Sequence, residues 1–378
     1  MSERKPKISV IIPVYNGEKF LEDTLKAIGK SSYENLEILI IDDGSTDGSQ
    51  ELYEGYAKRD SRVRCFYQKN AGIVAARNKG IDLATGDFLC FCDQDDLVSS
   101  DMYKIMIEKI QEDHSDLCIC GTSRITEDLE KTPFEILKTR CYERTDIIKG
   151  LLTPLLFAEF KREDMDRDLI IYGTIWKVMI RSSFLQEKGL HFRRFVNFED
   201  DWIMIIELMV YAQRVSTVKD SLYWWRVNTK SESYNWKYIE EIDKKYERLD
   251  QYMRKVFQEG GLSESYIQEY QKAKSCIDIV KVFENEASPR NSKTLKQKIK
   301  FLKSYMENKE RKDALYLRKQ MKKGYIRYSV MLGFLELHWV MGAYCTNKLL
   351  KLFAIYGMNH KWGVKLDKGL KKGRKKGN

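Results

Sequence analysis

The sequence lacks the short glycine motifs that define two large enzyme classes. No GxGxxG follows the first apolar run, where Gly17 is the only glycine, and no GxxxxGK[ST] is present. These absences argue against a dinucleotide-binding dehydrogenase and a P-loop enzyme, because both need glycines where the backbone approaches phosphate. The 8 cysteines include no CxxC pair and no zinc spacing. We therefore expect reduced cysteines in the core rather than a disulfide framework or a zinc site.

Proline and long apolar runs are also scarce. The 378 residues contain 5 prolines and 22 glycines, with 12% aromatics, which excludes a collagen-like, low-complexity or mostly disordered chain. The N-terminal apolar run, Ile8–Val14, has seven residues, too few for a signal peptide or a membrane span. We expect a cytoplasmic globular protein of two or three domains.

The N-terminal part has no net positive charge, and the excess of basic residues is concentrated at the C-terminal end. Residues 1–120 carry a net charge of −7 and residues 288–378 carry +19, within a total of +10. The basic residues are not interleaved with aromatics as in RNA-binding motifs. We therefore predict no nucleic-acid partner.

Strand and helix patterns alternate over the first ninety residues. The strand patterns cover residues 8–14, 36–41, 62–67 and 87–92, and the helical patterns cover 18–28, 49–58 and 72–83. Such repeats predict an α/β fold with a mainly parallel sheet and helices on both faces. In these sheets ligands bind beyond the carboxyl ends of the strands.

Acidic and amide side chains follow three of these strands. Asp93-Gln94-Asp95-Asp96 directly follows the fourth strand, and such carboxylates suit Mg²⁺ or Mn²⁺ with positions left for water and a diphosphate. A solvated acidic turn that caps the next helix is the alternative interpretation. Convergence with acidic and amide groups at the other strand ends favours the metal site.

The loop from Asp42 to Gly48 follows the second strand. Gly44 and Gly48 permit backbone conformations that bring the chain close to a ligand. A carboxylate in this loop can accept a hydrogen bond from a base N–H or a ribose hydroxyl. A turn with a helix N-cap at Asp47 or Ser49 is the alternative, and one loop can serve both purposes.

Five motifs in this order resemble the nucleotide-binding half of the family 2 glycosyltransferases. In one-letter code they are ISVIIPVYN from Ile8, IDDGSTD from Ile41, NAGIVAARN from Asn70, ATGD from Ala84 and DQDD from Asp93. The resemblance is dense over residues 6–110 and sparse to about residue 230. It implies the GT-A fold, which is Rossmann-like, with a helical C-terminal region after it.

The resemblance also implies an activity. Family members of this kind transfer a hexose or N-acetylhexosamine from a nucleotide-diphosphate sugar, here expected to be a UDP-sugar, to an acceptor hydroxyl. Transfer would be inverting and would depend on Mn²⁺ or Mg²⁺. The family context implies bacterial cell-surface glycan synthesis on a glycan or lipid-linked acceptor. A catalytically silent nucleotide-sugar-binding protein is the alternative, although both acidic groups are retained.

Roles at the donor site follow from the matched motifs. Pro13 and Tyr15 would line the nucleobase pocket and Asp43 would meet the base. Asn70 and Arg77 would hold the base or the diphosphate side. A guanidinium suits phosphate, but a buried ion pair with one of the aspartates is the alternative for Arg77.

The Asp-x-Asp motif would complete the donor site. By the same resemblance Asp93 would contact ribose or metal, and Asp95 would ligate the divalent cation.

A second acidic group, Glu199-Asp200-Asp201, opens an apolar helical pattern. Acids in a first helical turn are favoured by the helix dipole, which is one interpretation. Adjacent acids that are also buried have raised pKa values, so one of them can act as a proton acceptor. The segment resembles the family's Glu-Asp motif, which makes Asp200 the expected catalytic base. Asp201 is the second choice, because the doubled aspartate leaves the register open by one.

Aromatic residues are frequent in the second half of this domain. Trp176, Trp202, Tyr223, Trp224 and Trp225 are candidates to stack on sugar faces, but most such residues belong to a core.

The expected organisation has three parts. Residues 1–230 form the glycosyltransferase domain, with 1–110 as its nucleotide-binding half and 111–230 as its acceptor half. Residues 231–324 form a helical region, and 325–378 form an apolar, aromatic and basic tail.

The tail contains an apolar stretch, 328–347, whose single formal charge is Glu336. A membrane span is unfavourable with a carboxylate at its middle. A core helix packed on the catalytic domain is a second interpretation. We prefer a third interpretation, peripheral attachment of the tail to the anionic inner face of the cell membrane. Lys361, Lys365 and the terminal Lys/Arg cluster would then lie at the membrane surface.

Overall fold

The computed structural model describes residues 4–126, 130–135, 137–163, 169, 171–196, 199–227 and 238–359, with side chains up to residue 349. The chain divides into two compact units. The sheet unit comprises Met1–Ala158 and Glu163–Tyr234, and the helical unit comprises Glu159–Arg162 and Asn235–Asn378.

Within the described residues, ten strands of the sheet unit form one sheet. They are β1 Ile8–Val14, β2 Leu36–Asp42, β3 Val63–Tyr67, β4 Phe88–Phe91, β5 Leu97–Val98, β6 Leu117–Ile125, β7 Lys131–Pro133, β8 Arg140–Glu143, β9 Val178–Arg181 and β10 Arg214–Arg226. The order is β3-β2-β1-β4-β9-β6-β10-β5, with β7 beside β6 and β8 beside β10.

The α/β fold class predicted from the sequence is confirmed. Strands β1 to β4 pair in parallel, so that Val14 at the end of β1 is aligned with Asp42 at the end of β2. Beyond β4 the sheet is mixed, because β9 runs antiparallel to both β4 and β6. The predicted parallel arrangement therefore covers the first half of the sheet.

Helices cover both faces of this sheet. In the sheet unit they are α1 Leu21–Gly29, α2 Ser49–Ala57, α3 Ile73–Leu83, α4 Met102–Asp113, α5 Arg144–Ile147, α6 Thr153–Leu156, α7 Ser182–Glu187 and α8 Asp200–Tyr211, with a π-helix at Ile148–Leu152 and a 3₁₀ helix at Ile175–Lys177.

The strand β1 packs differently on its two faces. Ile8, Val10 and Ile12 belong to the apolar core that also contains the buried residues of α1 and α4. On the other face Ile11 lies against Gly80 of α3, where a Cβ atom would collide with the Ile11 side chain. Glycine at this position lets α3 approach the sheet closely, which brings the neighbouring Arg77 to the carboxyl ends of the strands.

The helical unit contains α9 Ile242–Glu259, α10 Glu264–Glu286, α11 Leu295–Tyr305, α12 Lys309–Ala314, α13 Ile326–Glu336 and α14 Val340–Asn359, with 3₁₀ helices at Leu315–Gln320 and Lys323–Tyr325. Helices α9 and α10 are joined by Lys274, whose ammonium lies 2.9 Å from Asp250 and 2.5 Å from Asp278. Thr294 and Gln297 form a capping box that starts α11.

The apolar stretch 328–347 is not one helix. It is divided between α13 and α14 by a turn in which His338 has φ 56°. Met331, Leu332 and Tyr344 are buried, so both helices contribute to the core of the helical unit. In the part of the chain that the structure describes, no helix is long and apolar enough to cross a membrane.

Candidate active site

The two acidic groups predicted from the sequence meet at Arg77. This side chain extends from α3 and is only 3% exposed. Its Nη2 lies 3.2 Å from Asp93 Oδ1, and its Nη1 lies 3.2 Å from Asp200 Oδ2. Nη1 also forms a close ion pair with Asp201. Arg77 thus joins the loop after β4 to the start of α8, and Asp200 lies 123 positions after Arg77 in the sequence.

This cluster holds more negative than positive charge. Three carboxylates share the guanidinium of Arg77, with Arg194 at 3.5 Å from Asp200 at the rim. Burial raises the pKa of Asp93, and Arg77 opposes the rise. Burial also raises the pKa of Asp201, to about 6, against the attraction of Arg77. The alternative interpretation of Arg77, a buried ion pair with the aspartates, describes its contacts in this structure.

Asp200 and Asp201 have different surroundings although they are adjacent. Both lie in the first turn of α8, where the helix dipole favours negative charge. Asp201 accepts a hydrogen bond from the Ile175 N–H at 3.2 Å, which ties α8 to the 3₁₀ helix. Asp200 instead lies between Arg77 and Arg194. The flanking residues 197 and 198 of the predicted motif lie outside the described residues.

Hydrogen bonds at several positions fix the conformation of the Asp93–Asp96 loop. Asp96 is fully buried and accepts hydrogen bonds from the Tyr223 hydroxyl at 2.7 Å and the Arg226 N–H at 2.8 Å. The Gln94 amide bridges the backbone N–H and C=O of Tyr15, at 2.9 and 3.0 Å. These contacts set the backbone that carries Asp93 and Asp95.

The few carboxylates available in this loop limit the kind of cation site that it can form. Asp95 is partly exposed at the sheet edge, and Asp93 already contacts Arg77. Among the described residues no three His, Cys, Asp or Glu side chains gather as a cation site. Carboxylate oxygens do suit Mg²⁺ or Mn²⁺, so this donor set fits a cation that takes most of its ligands from a bound diphosphate and water.

At the expected nucleobase side, Asp43 is 4% exposed and organises the loop after β3. Its carboxylate accepts hydrogen bonds from Gln68 Nε2, the Ala71 N–H and the Gly72 N–H, each at 2.8 Å. A carboxylate has room for about four such bonds, which leaves one acceptor position. Gly44, at φ 82°, lets its backbone lie against Asn70.

The remaining residues predicted on that side differ in exposure. The ring of Tyr15 is 49% exposed and Asn70 is exposed, whereas Pro13 is buried within β1. The expected turn is present, because Asp47 accepts the Ser49 N–H at 3.1 Å. The expected N-cap at Asp47 or Ser49 is wrong, since α2 is preceded by Gly48 at the N-cap position.

Comparison with known proteins identifies the family. The model of glycosyl transferase family 2 matches residues 9–181, which include β1, the Asp93–Asp96 loop and β9. The chain therefore carries a glycosyl transferase family 2 domain.

Curated relatives agree with this assignment. The glycosyltransferase is 28% identical over 311 residues to the uncharacterized glycosyltransferase EpsJ of Bacillus subtilis, which covers 79% of this chain and 84% of EpsJ. It is 32% identical to the putative glycosyltransferase EpsH of the same organism, over 60% of this chain and 62% of EpsH. Among solved structures, Staphylococcus aureus TarS 1–349 in complex with UDP-GlcNAc superposes with a TM-score of 0.64 at 16% identity, covering 92% of each chain. This likeness confirms the GT-A fold.

Several residues that hold the glycosyltransferase site were missed by sequence reasoning. Arg226 ends β10, and its Nε donates to the Asp95 carbonyl at 2.9 Å. Arg194 reaches Asp200, and Gln94 supports Tyr15. The sequence did offer one indication of Arg226, which is its position directly after the aromatic run of β10. It was missed because Arg226 belongs to none of the five motifs that resemble the family.

The aromatic candidates separate into two groups. Trp176 and Tyr223 stack with ring centroids 4.3 Å apart and are 5% and 0% exposed, so they belong to the core. Trp202, Trp224 and Trp225 are half-buried.

Proposed function

We propose that this glycosyltransferase transfers a sugar from a UDP-sugar to an acceptor hydroxyl with inversion at the anomeric carbon, in assembly of a cell-surface glycan. The observation that carries the proposal is the meeting of Asp93, Asp200 and Asp201 around Arg77 at the carboxyl ends of the strands. Support for the donor comes from TarS, whose structures with UDP and with UDP-GlcNAc share this fold at TM-scores of 0.60 and 0.64.

In the proposed mechanism Asp200 is the general base. Its carboxylate takes the proton of the acceptor hydroxyl, and the oxygen forms a bond to the anomeric carbon. The bond from that carbon to the diphosphate oxygen breaks on the opposite face, and its electron pair leaves with UDP. Arg77 keeps Asp200 in place through the contact at 3.2 Å.

Asp95, with Asp93 beside it, would hold Mn²⁺ or Mg²⁺. When bound, the cation would neutralise the negative charge that develops on the departing diphosphate. Arg226 fixes the Asp95 backbone, which positions this carboxylate before any ligand arrives.

Calorimetric titration of UDP tests the donor and the metal together. We expect wild type to bind UDP more tightly with Mn²⁺ or Mg²⁺ than with EDTA, and Asp95→Asn to lose most of that gain. Asp82→Asn is the matched control, because Asp82 has a side chain that is 67% exposed at the far end of α3. Equal UDP affinity with and without metal in wild type would contradict the metal assignment, and absence of UDP binding would contradict the donor.

We also propose that the helical unit attaches peripherally to an anionic membrane on the cytoplasmic side. Support comes from large apolar side chains left exposed on and between α13 and α14: Ile326 is 68% exposed, Leu337 75% and Trp339 55%. The chain that follows, residues 360–378, has eight basic residues and one acidic residue. Each basic residue near an anionic surface contributes about 1 kcal/mol, which weakens with salt.

Co-sedimentation with liposomes tests this attachment. Binding that requires anionic lipid, falls at high salt and is weakened by deletion of the basic residues 360–378 would support it. Leu337→Ser with Trp339→Ser should weaken binding while UDP affinity stays unchanged. Full-length protein that remains in the supernatant with anionic liposomes at low salt would contradict it.

A further inference from the structure

Three aromatic side chains of the acceptor half form a cluster that is open to solvent, here called the aromatic platform: Phe134, Tyr172 and Trp225. The Phe134 and Tyr172 rings are 4.3 Å apart and nearly parallel at 8°, and Trp225 lies 5.9 Å from Phe134. Tyr172 is 42% exposed, in contrast to the similarly stacked Trp176 and Tyr223 in the core. Core packing therefore does not account for the position of Tyr172.

Cationic and buried polar groups build the platform. The Arg124 guanidinium lies over Phe134 at 4.2 Å and over Trp225 at 5.5 Å. Beneath it, the buried Glu135 accepts the Tyr172 N–H at 2.7 Å and forms a close ion pair with Lys177.

The Lys177–Glu135 pair fixes the Tyr172 backbone from both sides. Lys177 Nζ donates to the Tyr172 carbonyl at 2.6 Å, so the N–H and C=O of this residue are both bound to the pair. Removing the two charges of this pair from water is unfavourable. In this structure both charged groups form hydrogen bonds with the backbone of Tyr172, an exposed aromatic residue. The Tyr172 ring is thereby presented in a set place, which lowers the entropy lost when a ligand binds.

Short backbone segments connect the platform to both acidic groups of the site. Tyr172 lies three residues before Ile175, so the Cα atoms of Tyr172 and Ile175 are within about 11 Å of each other. The N–H of Ile175 donates to Asp201. Trp225 directly precedes Arg226, which binds the carbonyl of Asp95 and the carboxylate of Asp96. By contrast, the expected nucleobase residue Asp43 follows β2, and four strands separate β2 from β10 in the sheet order.

We propose that the aromatic platform binds a pyranose ring of the acceptor, so that the acceptor is a saccharide. The apolar C–H face of a pyranose stacks on the exposed Tyr172 ring, and the Tyr172 hydroxyl offers a hydrogen bond to the hydroxyl groups of the sugar. A charged guanidinium over two of the rings disfavours a purely apolar occupant such as a lipid chain. This inference rests on the proposed function, because a transferase must hold its acceptor beside the base.

Saturation-transfer NMR on the full chain with UDP and Mg²⁺, which is diamagnetic, tests the proposal. The probes are methyl glycosides and disaccharides of glucose, galactose, mannose and N-acetylglucosamine. We expect saturable binding of at least one probe to wild type, about 3–10-fold weaker binding to Tyr172→Ala, and a smaller loss in Tyr172→Phe, since the stacking contact is worth roughly that factor. Tyr316→Ala is the control, because Tyr316 is 52% exposed in the helical unit.

The outcomes separate the two proposals. If UDP binds but no saccharide does, or if Tyr172→Ala binds saccharides as wild type does, the platform proposal is wrong and the donor assignment stands. If UDP itself fails to bind, the proposed function is wrong and the platform proposal falls with it. Unchanged UDP affinity in the Tyr172 variants shows that they are folded.

Discussion

The two edges of the parallel half of the sheet use carboxylates in opposite ways. At the amino edge, Glu37 of β2 accepts hydrogen bonds from Ser9 at 2.5 Å and from the Thr85 N–H at 2.6 Å. Lys7 and Arg64 lie at 3.1 and 3.0 Å. Burial tends to raise the pKa of Glu37, but the hydrogen bonds from Ser9, Thr85 and Lys7 outweigh it and lower the pKa to about 2.

At the carboxyl edge, acceptors outnumber donors. Asp93, Asp200 and Asp201 share Arg77, and burial raises the pKa of Asp93 and Asp201. Glu37, with four donor residues around it, contributes to stability. The three carboxylates around Arg77, with Arg194 as a second cation at the rim, leave an excess of negative charge that a ligand or a proton can neutralise. The number of hydrogen-bond donors and cations around a carboxylate, rather than the residue type, therefore distinguishes a structural carboxylate from a functional one.

The largest expected effect concerns the base. Asp200→Asn should bind UDP and metal as wild type does, but turnover should fall by about 10²–10⁴-fold, because a general base contributes that much. Initial rates of UDP release with acceptor present measure it. If Asp201→Asn is the inactive variant and Asp200→Asn is active, the assignment is wrong by one position.

The next largest effect tests the shortage of positive charge at the carboxyl edge. Arg77→Met leaves the buried Asp200 and the partly buried Asp93 and Asp201 without their shared partner, so the free energy of unfolding at pH 8 should fall by about 3–5 kcal/mol. The loss should be smaller at pH 5, because the pKa of Asp201 is raised to about 6 and its protonation removes one of the unpaired charges. Urea denaturation at the two pH values measures it.

A double variant controls the Arg77 experiment. Adding Asp201→Asn to Arg77→Met removes one of the unpaired charges and should recover part of the lost stability. A loss that is equal at both pH values and unaffected by Asp201→Asn would show that the charge balance is not the cause.

The smallest effect concerns the amino edge and has the opposite dependence on pH. The pKa of Glu37 is lowered to about 2, so its contribution, ~3 kcal/mol at most, is present above about pH 4.5 and is lost as the pH falls towards 2. Glu37→Gln should lower the stability at pH 7 and flatten its dependence on pH in that range. Exposed Glu34, changed to Gln, is the control. Equal acid sensitivity in Glu37→Gln and wild type would refute this role.

Local patterns in the sequence determined the elements of the first ninety residues. The strand predicted at residues 8–14 is β1, and the helix predicted at 72–83 is α3 within one residue. These predictions succeed because side-chain periodicity records which face of an element is buried. The helix predicted from residue 18 begins instead at Leu21, since Gly17 to Phe20 form a turn closed by a hydrogen bond from the Phe20 N–H to the Gly17 carbonyl.

Motif order determined the family, but only the tertiary structure decided which side chains meet. Arg77 and Asp200 come together because β9 returns antiparallel beside β4 and because α8 starts at the same edge of the sheet as the loop after β4. Likewise Trp176 is buried while Tyr172, four residues earlier and not singled out from the sequence, is exposed. Periodicity is a local property, whereas strand order and long-range contacts depend on how the whole chain folds back, and no short stretch of sequence records them.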